Sequence, residues 1–267
     1  MSEMALEVLK LDKNFGGLHA VNQVSFTVPH GSLTAVIGPN GAGKTTVFNL
    51  VTGLYRPDSG DARFYGEALT ELTPVEVAKR GLIRTFQSAR IYPGMTAIEN
   101  VLAGAHLQLK SSALQQMLWL GAARREERAL TARADALLDL VGLRPFRDVA
   151  ATDLPMGGQK LLEVVRALMS GPRLLLLDEP AAGLNDAETA ELAELLRAVR
   201  DAGISVVVVE HNMSLVMGVA DQVVVLDAGS VVACGSPREI QQDARVIAAY
   251  VGTTELAASG GGVEGTA

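Results

Sequence analysis

Three observations predict an α/β fold built around a parallel sheet. Leu174-Leu175-Leu176-Leu177 is wholly apolar and the run over residues 204–209 is apolar but for Ser205, as strands covered on both faces are expected to be. Residues 187–201 lie between them and read as a helix, so the two strands are expected to point the same way. A third apolar run, Leu33-Thr34-Ala35-Val36-Ile37, leads into a glycine-rich stretch, and Thr46-Val47-Phe48-Asn49-Leu50-Val51 then takes helical spacing.

That glycine-rich stretch is Gly38-Pro39-Asn40-Gly41-Ala42-Gly43-Lys44-Thr45-Thr46, which fits G-x-x-x-x-G-K-[ST]. Glycines let the backbone turn its N–H groups inward around phosphates, and the following helix adds the positive end of its dipole. In such a loop Lys44 reaches the β- and γ-phosphates and the Thr45 hydroxyl holds Mg²⁺. A chance glycine turn lacks the strand in front and the helix behind. The chain is therefore expected to bind a nucleoside triphosphate.

The remaining elements follow in order. Residues 6–30 read as two strands with a bend at Phe15-Gly16-Gly17, and Val24-Ser25-Phe26-Thr27-Val28 alternates as a half-buried strand does. Pro29-His30-Gly31-Ser32 and Tyr55-Arg56-Pro57-Asp58-Ser59-Gly60 are turns, and Asp61-Ala62-Arg63-Phe64-Tyr65 is a short strand. Thr73 before Pro74 marks a helix N-terminus. From about residue 96 to 171 helical patterns replace β-branched runs. There Arg124-Arg125-Glu126-Glu127-Arg128 reads as a solvated helix face, and Gly142 ends a helix over residues 134–141. A helical subdomain thus interrupts the α/β core. Gln222-Val223-Val224-Val225-Leu226 and Val231-Val232-Ala233 form a hairpin, and residues 258–267, with Ser-Gly-Gly-Gly and few apolar positions, are expected to be disordered.

Composition bounds the rest. The 267 residues make one large domain or two small ones, and a net charge of −7 argues against a nucleic-acid partner. Cys234 is the one cysteine, which excludes an internal disulfide and a cysteine metal cluster; it reads as a small core residue. Met1-Ser2-Glu3-Met4-Ala5 lacks the basic start and apolar core of a signal peptide, and no apolar run approaches the roughly 20 residues of a membrane helix. A soluble, cytoplasmic chain that meets a membrane only through a partner is expected.

Two strand ends carry further chemistry. Leu174-Leu175-Leu176-Leu177 runs into Asp178-Glu179, placing two acids at the carboxyl end of a buried strand beside the phosphate loop. Asp178 is suited to Mg²⁺ and Glu179 to taking a proton from the attacking water. Val209-Glu210-His211 ends another apolar strand, where a histidine could contact the γ-phosphate and keep the water and Glu179 in register. His19, His30 and His106 read as capping or solvated residues.

With these residues in place, the sequence resembles the ATP-binding subunits of ABC transporters, from about Leu6 to Gly252. The resemblance implies an α/β P-loop NTPase (RecA-like) core with a mixed sheet, an antiparallel β subdomain and an inserted helical subdomain. The core would take residues 1–90 and 166–253, the helical subdomain 91–165, and a flexible tail 254–267. The cofactors implied are ATP and Mg²⁺. Phe15 matches the aromatic that stacks on adenine. Gln87, in Arg84-Thr85-Phe86-Gln87, matches the glutamine that meets Mg²⁺ and water and links to the helical subdomain. Asp178 and Glu179 match the second acidic motif, and His211 matches the switch histidine. Ala182-Gly183-Leu184-Asn185 occupies the dimer-contacting loop, with Asn185 where many members carry Asp.

One landmark departs from the family pattern. The signature Leu-Ser-Gly-Gly-Gln, aimed at the opposite subunit's γ-phosphate, here reads Leu154-Pro155-Met156-Gly157-Gly158 and then Gln159. Pro155 removes a hydroxyl and a backbone donor, while Gly157, Gly158 and the helix dipole can still face a phosphate. Weakened closure is expected at the partner's ATP, not at the one on Lys44.

Phe15-Gly16-Gly17-Leu18, Asn100-Val101-Leu102 and Glu210-His211-Asn212-Met213 are similar to the subgroup for branched-chain amino-acid uptake, as is the insert over residues 110–128. Urea and amide uptake relatives share much of this wording, and a soluble ABC ATPase or a non-hydrolysing regulator stays open. The subgroup implies a second ATP-binding subunit, in a heterodimer or a homodimer, two integral-membrane permeases and a periplasmic or extracellular solute-binding protein. Residues 87–101, with Ile91-Tyr92-Pro93-Gly94-Met95, would help receive a permease coupling helix. Trp119 reads as a helix anchor.

Overall fold

The computed structural model describes residues 3–85, 91–108 and 121–249. Its strands are β1 (Met4–Phe15), β2 (Leu18–Pro29), β3 (Leu33–Ile37), β4 (Ser59–Phe64), β5 (Glu67–Ala68), β6 (Leu82–Arg84), β7 (Leu174–Asp178), β8 (Ser205–Val209), β9 (Gln222–Asp227) and β10 (Ser230–Gly235). They form two sheets. The antiparallel one has the order β2-β1-β4-β5, and the mixed one the order β10-β9-β3-β8-β7-β6. In the mixed sheet β9, β3, β8, β7 and β6 run parallel and β10 pairs antiparallel with β9.

The apolar runs explain this arrangement. All five residues of β3, β7 and β8 are buried, and successive residues point to opposite faces of the sheet. Leu33, Ala35, Ile37, Leu175 and Leu177 therefore join a core shared with the helices. Val36, Leu174 and Leu176 join a second core shared with β1, β2 and β4. Each fully buried Leu or Val contributes about 1.5–3 kcal/mol, and burial on both faces leaves these strands no solvent-facing register.

The helices are α1 (Lys44–Val51), α2 (Pro74–Lys79), α3 (Ala97–Ala103), α4 (Gly121–Leu140), α5 (Met156–Met169), α6 (Asp186–Asp201), α7 (Met213–Val219) and α8 (Pro237–Gln242). Thr73 caps α2 as its sequence predicts, in a capping box with Glu76. Asn185 and Glu188 build the same device on α6, which starts at Asp186. The helix expected over residues 134–141 is the last part of α4, and Gly142 follows it at φ +68°. Arg124, Arg125 and Arg128 are exposed on α4. The short strand expected over residues 61–65 runs from Ser59 to Phe64, and Tyr65 turns away with φ 47°.

Cys234 is a correction. It is exposed, not part of the core. It lies on β10, the edge of the mixed sheet, where alternation turns Ala233 inward and Cys234 outward. Its Sγ accepts from Gln222 Nε2 at 3.1 Å. Trp119 and residues 258–267 lie outside the described residues. Among the described residues, no helix is long and apolar enough to cross a membrane.

Candidate active site

Strands β3, β8 and β7 are neighbours and parallel, so their carboxyl ends open on one edge of the sheet. Gly38-Pro39-Asn40-Gly41-Ala42-Gly43 leaves β3 there and enters α1. Gly38, Gly41 and Gly43 have φ of 150°, 83° and 97°. A Cβ on Gly38 would lie 2.0 Å from the Leu226 carbonyl oxygen, and one on Gly43 would lie 2.5 Å from that of Ala20. Glycine is required at both for conformation and for space.

Lys44 opens α1 and is 6% exposed. Its Nζ donates to the carbonyls of Gly38 at 2.7 Å and Pro39 at 2.9 Å. Burial pulls its ammonium below the ordinary lysine range, and the nearby charges of Glu179 and then Asp178 oppose that pull. Thr45 is exposed beside it and Thr46 half-buried.

Asp178 ends β7 and is 4% exposed. Arg84, at the end of β6, donates Nη2 to Asp178 Oδ2 at 2.8 Å and Nη1 to Asn49 Oδ1 at 2.6 Å. Its guanidinium sits 5.6 Å from the Phe48 ring centroid. An arginine whose side chain is 8% exposed thus ties the acid at the end of β7 to the helix that follows the phosphate loop.

Glu179 comes next with φ 49°, a left-handed conformation that costs a non-glycine residue about 1–2 kcal/mol. Its amide donates to the Val209 carbonyl at 2.9 Å. His211, just beyond β8, places Nε2 3.0 Å from Glu179 Oε1. Between β8 and His211, Glu210 is 3% exposed. Its Oε1 accepts from Ala181 N at 2.7 Å, and its Oε2 from His211 N at 3.0 Å and Asn212 N at 3.3 Å.

The structure brings Lys44, Asp178, Glu179 and His211 together at one sheet edge. Phe15 ends β1, on the antiparallel sheet. It is 41% exposed and packs edge-on against Tyr55 at 5.3 Å between centroids. Gln87 lies outside the described residues. Gly157 and Gly158 open α5, whose N-cap, Pro155, makes no side-chain capping bond. Gly157 N instead donates to Glu188 Oε1 at 3.2 Å, while Glu188 Oε2 accepts from Asn185 N at 3.0 Å. One carboxylate serves the first turns of two helices. His19 bonds Asp12, His30 bonds Tyr65 and His106 bonds a backbone carbonyl, all at exposed positions.

Sequence reasoning passed over Arg84, Glu210 and Glu188. Arg84 was visible within Arg84-Thr85-Phe86-Gln87. Glu210 carried a weaker signal, a carboxylate between a run of four valines and a histidine. Nothing in the sequence pairs Glu188 with Gly157.

The donors near Lys44 suit a hard cation. The Thr45 hydroxyl and the Asp178 carboxylate are oxygen ligands of the kind Mg²⁺ takes when phosphates and water complete its shell. No group of three or more His, Cys, Asp or Glu able to hold a metal exists among the described residues.

The sequence profile of the ABC transporter family matches residues 21–182, and that of the branched-chain amino acid ATP-binding cassette transporter matches residues 230–255. The high-affinity branched-chain amino acid transport ATP-binding protein BraF of Pseudomonas aeruginosa is 43% identical over 253 residues, 94% of this chain and 99% of BraF. The corresponding protein LivG of Salmonella typhimurium is 42% identical over the same shares. The ADP conformation of MJ1267, an ATP-binding cassette of an ABC transporter, superposes with a TM-score of 0.81 at 30% identity, covering 93% of this chain and 99% of that one. The phosphate loop, the strand-end carboxylates and these end-to-end matches together show that this chain belongs to the ABC-transporter ATP-binding subunits and is an ATPase of that family.

Proposed function

We propose that this protein hydrolyses Mg-ATP to power an importer of branched-chain amino acids. The observation that carries the hydrolytic part is the 3.0 Å pairing of Glu179 with His211 on the sheet edge that holds Lys44. The substrate class comes from the names of BraF and LivG.

The backbone amides of residues 38 and 40–46 and the Lys44 ammonium take the β- and γ-phosphates, and Phe15 stacks on adenine. Thr45, Asp178 and Gln87 would hold Mg²⁺, which draws charge from the phosphate oxygens. Glu179 accepts a proton from water as the water oxygen bonds to the γ-phosphorus. The bond from that phosphorus to the β–γ bridging oxygen breaks, and ADP leaves with the electron pair. His211 keeps Glu179 oriented and contacts the γ-phosphate.

Gly157 and Gly158 face the ATP held by a second subunit, and closure of that pair moves two permeases from the cytoplasmic face of the membrane. A cleft of about 350 Å³ bordered by Val75, Ile83, Tyr92, Ala103 and Arg166 lies where residues 91–95 meet α2 and α5. Exposed Val75 and Tyr92 give it an apolar rim, suited to a permease coupling helix.

The test is a pull-down of tagged Glu179→Gln protein with Mg-ATP from native membranes in mild detergent. Two polytopic permeases and a second ATP-binding subunit are expected, with a companion binding protein that takes leucine, isoleucine and valine. Recovery of soluble partners alone would refute the transport reading, and a binding protein selective for urea or amides would refute the substrate.

The signature carries its own prediction. Pro155→Ser supplies an N-cap oxygen for α5, a gain of about 1 kcal/mol for that helix. It also restores the donor that Pro155 lacks. Turnover of the assembled transporter is expected to rise, and unchanged turnover would count against an impaired second site.

A further inference from the structure

A carboxylate as buried as Glu210 ordinarily has a cation or metal beside it. The hydrogen bonds that Glu210 accepts come instead from three backbone amides, on two separate segments. Ala181 lies two residues past Glu179, while His211 and Asn212 directly follow Glu210. Both oxygens are used, one for each segment. Amide bonds to a charged oxygen are among the stronger hydrogen bonds a protein makes. Burial pushes the carboxyl of Glu210 up, and the Ala181, Asn212 and His211 amides oppose that.

We infer that Glu210 is a positioning residue for ATP hydrolysis: it clamps the segment carrying Glu179 to the segment carrying His211. The inference rests on the reading of Glu179 as the proton acceptor. Glu179 holds φ 49°, and such a conformation persists only where its surroundings over-determine it. Beside the turn's own bond from Ala182 N to Glu179 O at 3.1 Å, two bonds to the neighbouring segment do so here. Glu179 N to Val209 O fixes the segment before the side chain, and Ala181 N to Glu210 Oε1 fixes it after. Releasing the second lets residues 179–181 relax and opens the 3.0 Å contact to His211. None of the hydrogen bonds found for Glu210 reaches the phosphate loop, so ATP binding does not depend on it.

Glutamine at position 210 keeps the size but replaces one acceptor oxygen with a donor. Either the Ala181 amide or the His211 and Asn212 amides then face an N–H group. The experiment compares full-length wild type, Glu210→Gln, Glu179→Gln, His211→Ala and the His211→Ala/Glu210→Gln pair. It reads kcat and KM for Mg-ATP, nucleotide Kd and the melting temperature. Glu210→Gln is expected to lower kcat about tenfold or more, with KM and Kd within about threefold. In the His211→Ala background it should lower kcat less than about twofold further, since both changes break one unit.

An unchanged kcat, a Kd that weakens in step with kcat, or effects that multiply in the double variant would overturn the inference. If Glu210→Gln does not melt as a folded protein, Glu210→Asp reads the same split: it keeps the charge and the adjacent amides but falls short of Ala181. Near-wild-type kcat for Glu210→Asp would then overturn the clamp. Wild-type hydrolysis by Glu179→Gln would instead refute the reading of Glu179 and the clamp with it. Loss with Glu179→Gln alone refutes only the clamp.

Discussion

Glu179→Gln is expected to bind ATP as the wild type does and to lose steady-state hydrolysis by about 10²- to 10⁴-fold. That loss corresponds to roughly 3–5 kcal/mol of barrier. The isosteric amide keeps the shape of the segment and can still meet His211 Nε2 at Oε1, so φ 49° at this position is unaffected. What disappears is the group that receives the water's proton. Phosphate release at saturating Mg-ATP measures the rate, and nucleotide titration measures binding. Residual hydrolysis within about fivefold of wild type would show that another group takes the proton. A parallel loss of ATP affinity would show that Glu179 serves binding rather than chemistry.

The second large effect is on stability. Arg84→Met leaves Asp178 charged, 4% exposed and without its guanidinium partner. Breaking a buried pair from one side costs about 3–5 kcal/mol, a large part of the 5–15 kcal/mol that holds a domain folded. Urea unfolding without nucleotide should show that loss as a lower midpoint with an unchanged slope. Adding Asp178→Leu to Arg84→Met should recover most of it, because removing both charges leaves none uncompensated. A loss under about 1 kcal/mol in Arg84→Met would mean that water or another cation satisfies Asp178. Failure of the double variant to recover would mean that Arg84 matters chiefly through Phe48 and Asn49.

Motif and patterning carried the reading of the site a long way. Lys44, Asp178, Glu179 and His211 were each singled out from local sequence alone, by a glycine loop or by an apolar strand ending in polar residues. The structure gathers all four because parallel neighbours put their carboxyl ends on one edge. Cys234 failed for a physical reason: composition says that a lone cysteine is buried, but an edge strand has one face toward solvent. Glu188 was out of reach for another. Its partner Gly157 is 31 residues away on a different helix, and a capping box explains the residue locally without that contact.

Local chemistry, then, determined which residues could handle phosphate and which runs had to be buried, because loop conformation and hydrophobic period are written over a few consecutive positions. Which polar groups meet was decided by the tertiary structure. Arg84 reaches Asp178 across 94 positions, and Glu210 reaches Ala181 across 29. Burial strips those groups of water and obliges each to find a partner on another segment, and the order of strands in the sheet settles which segment that is.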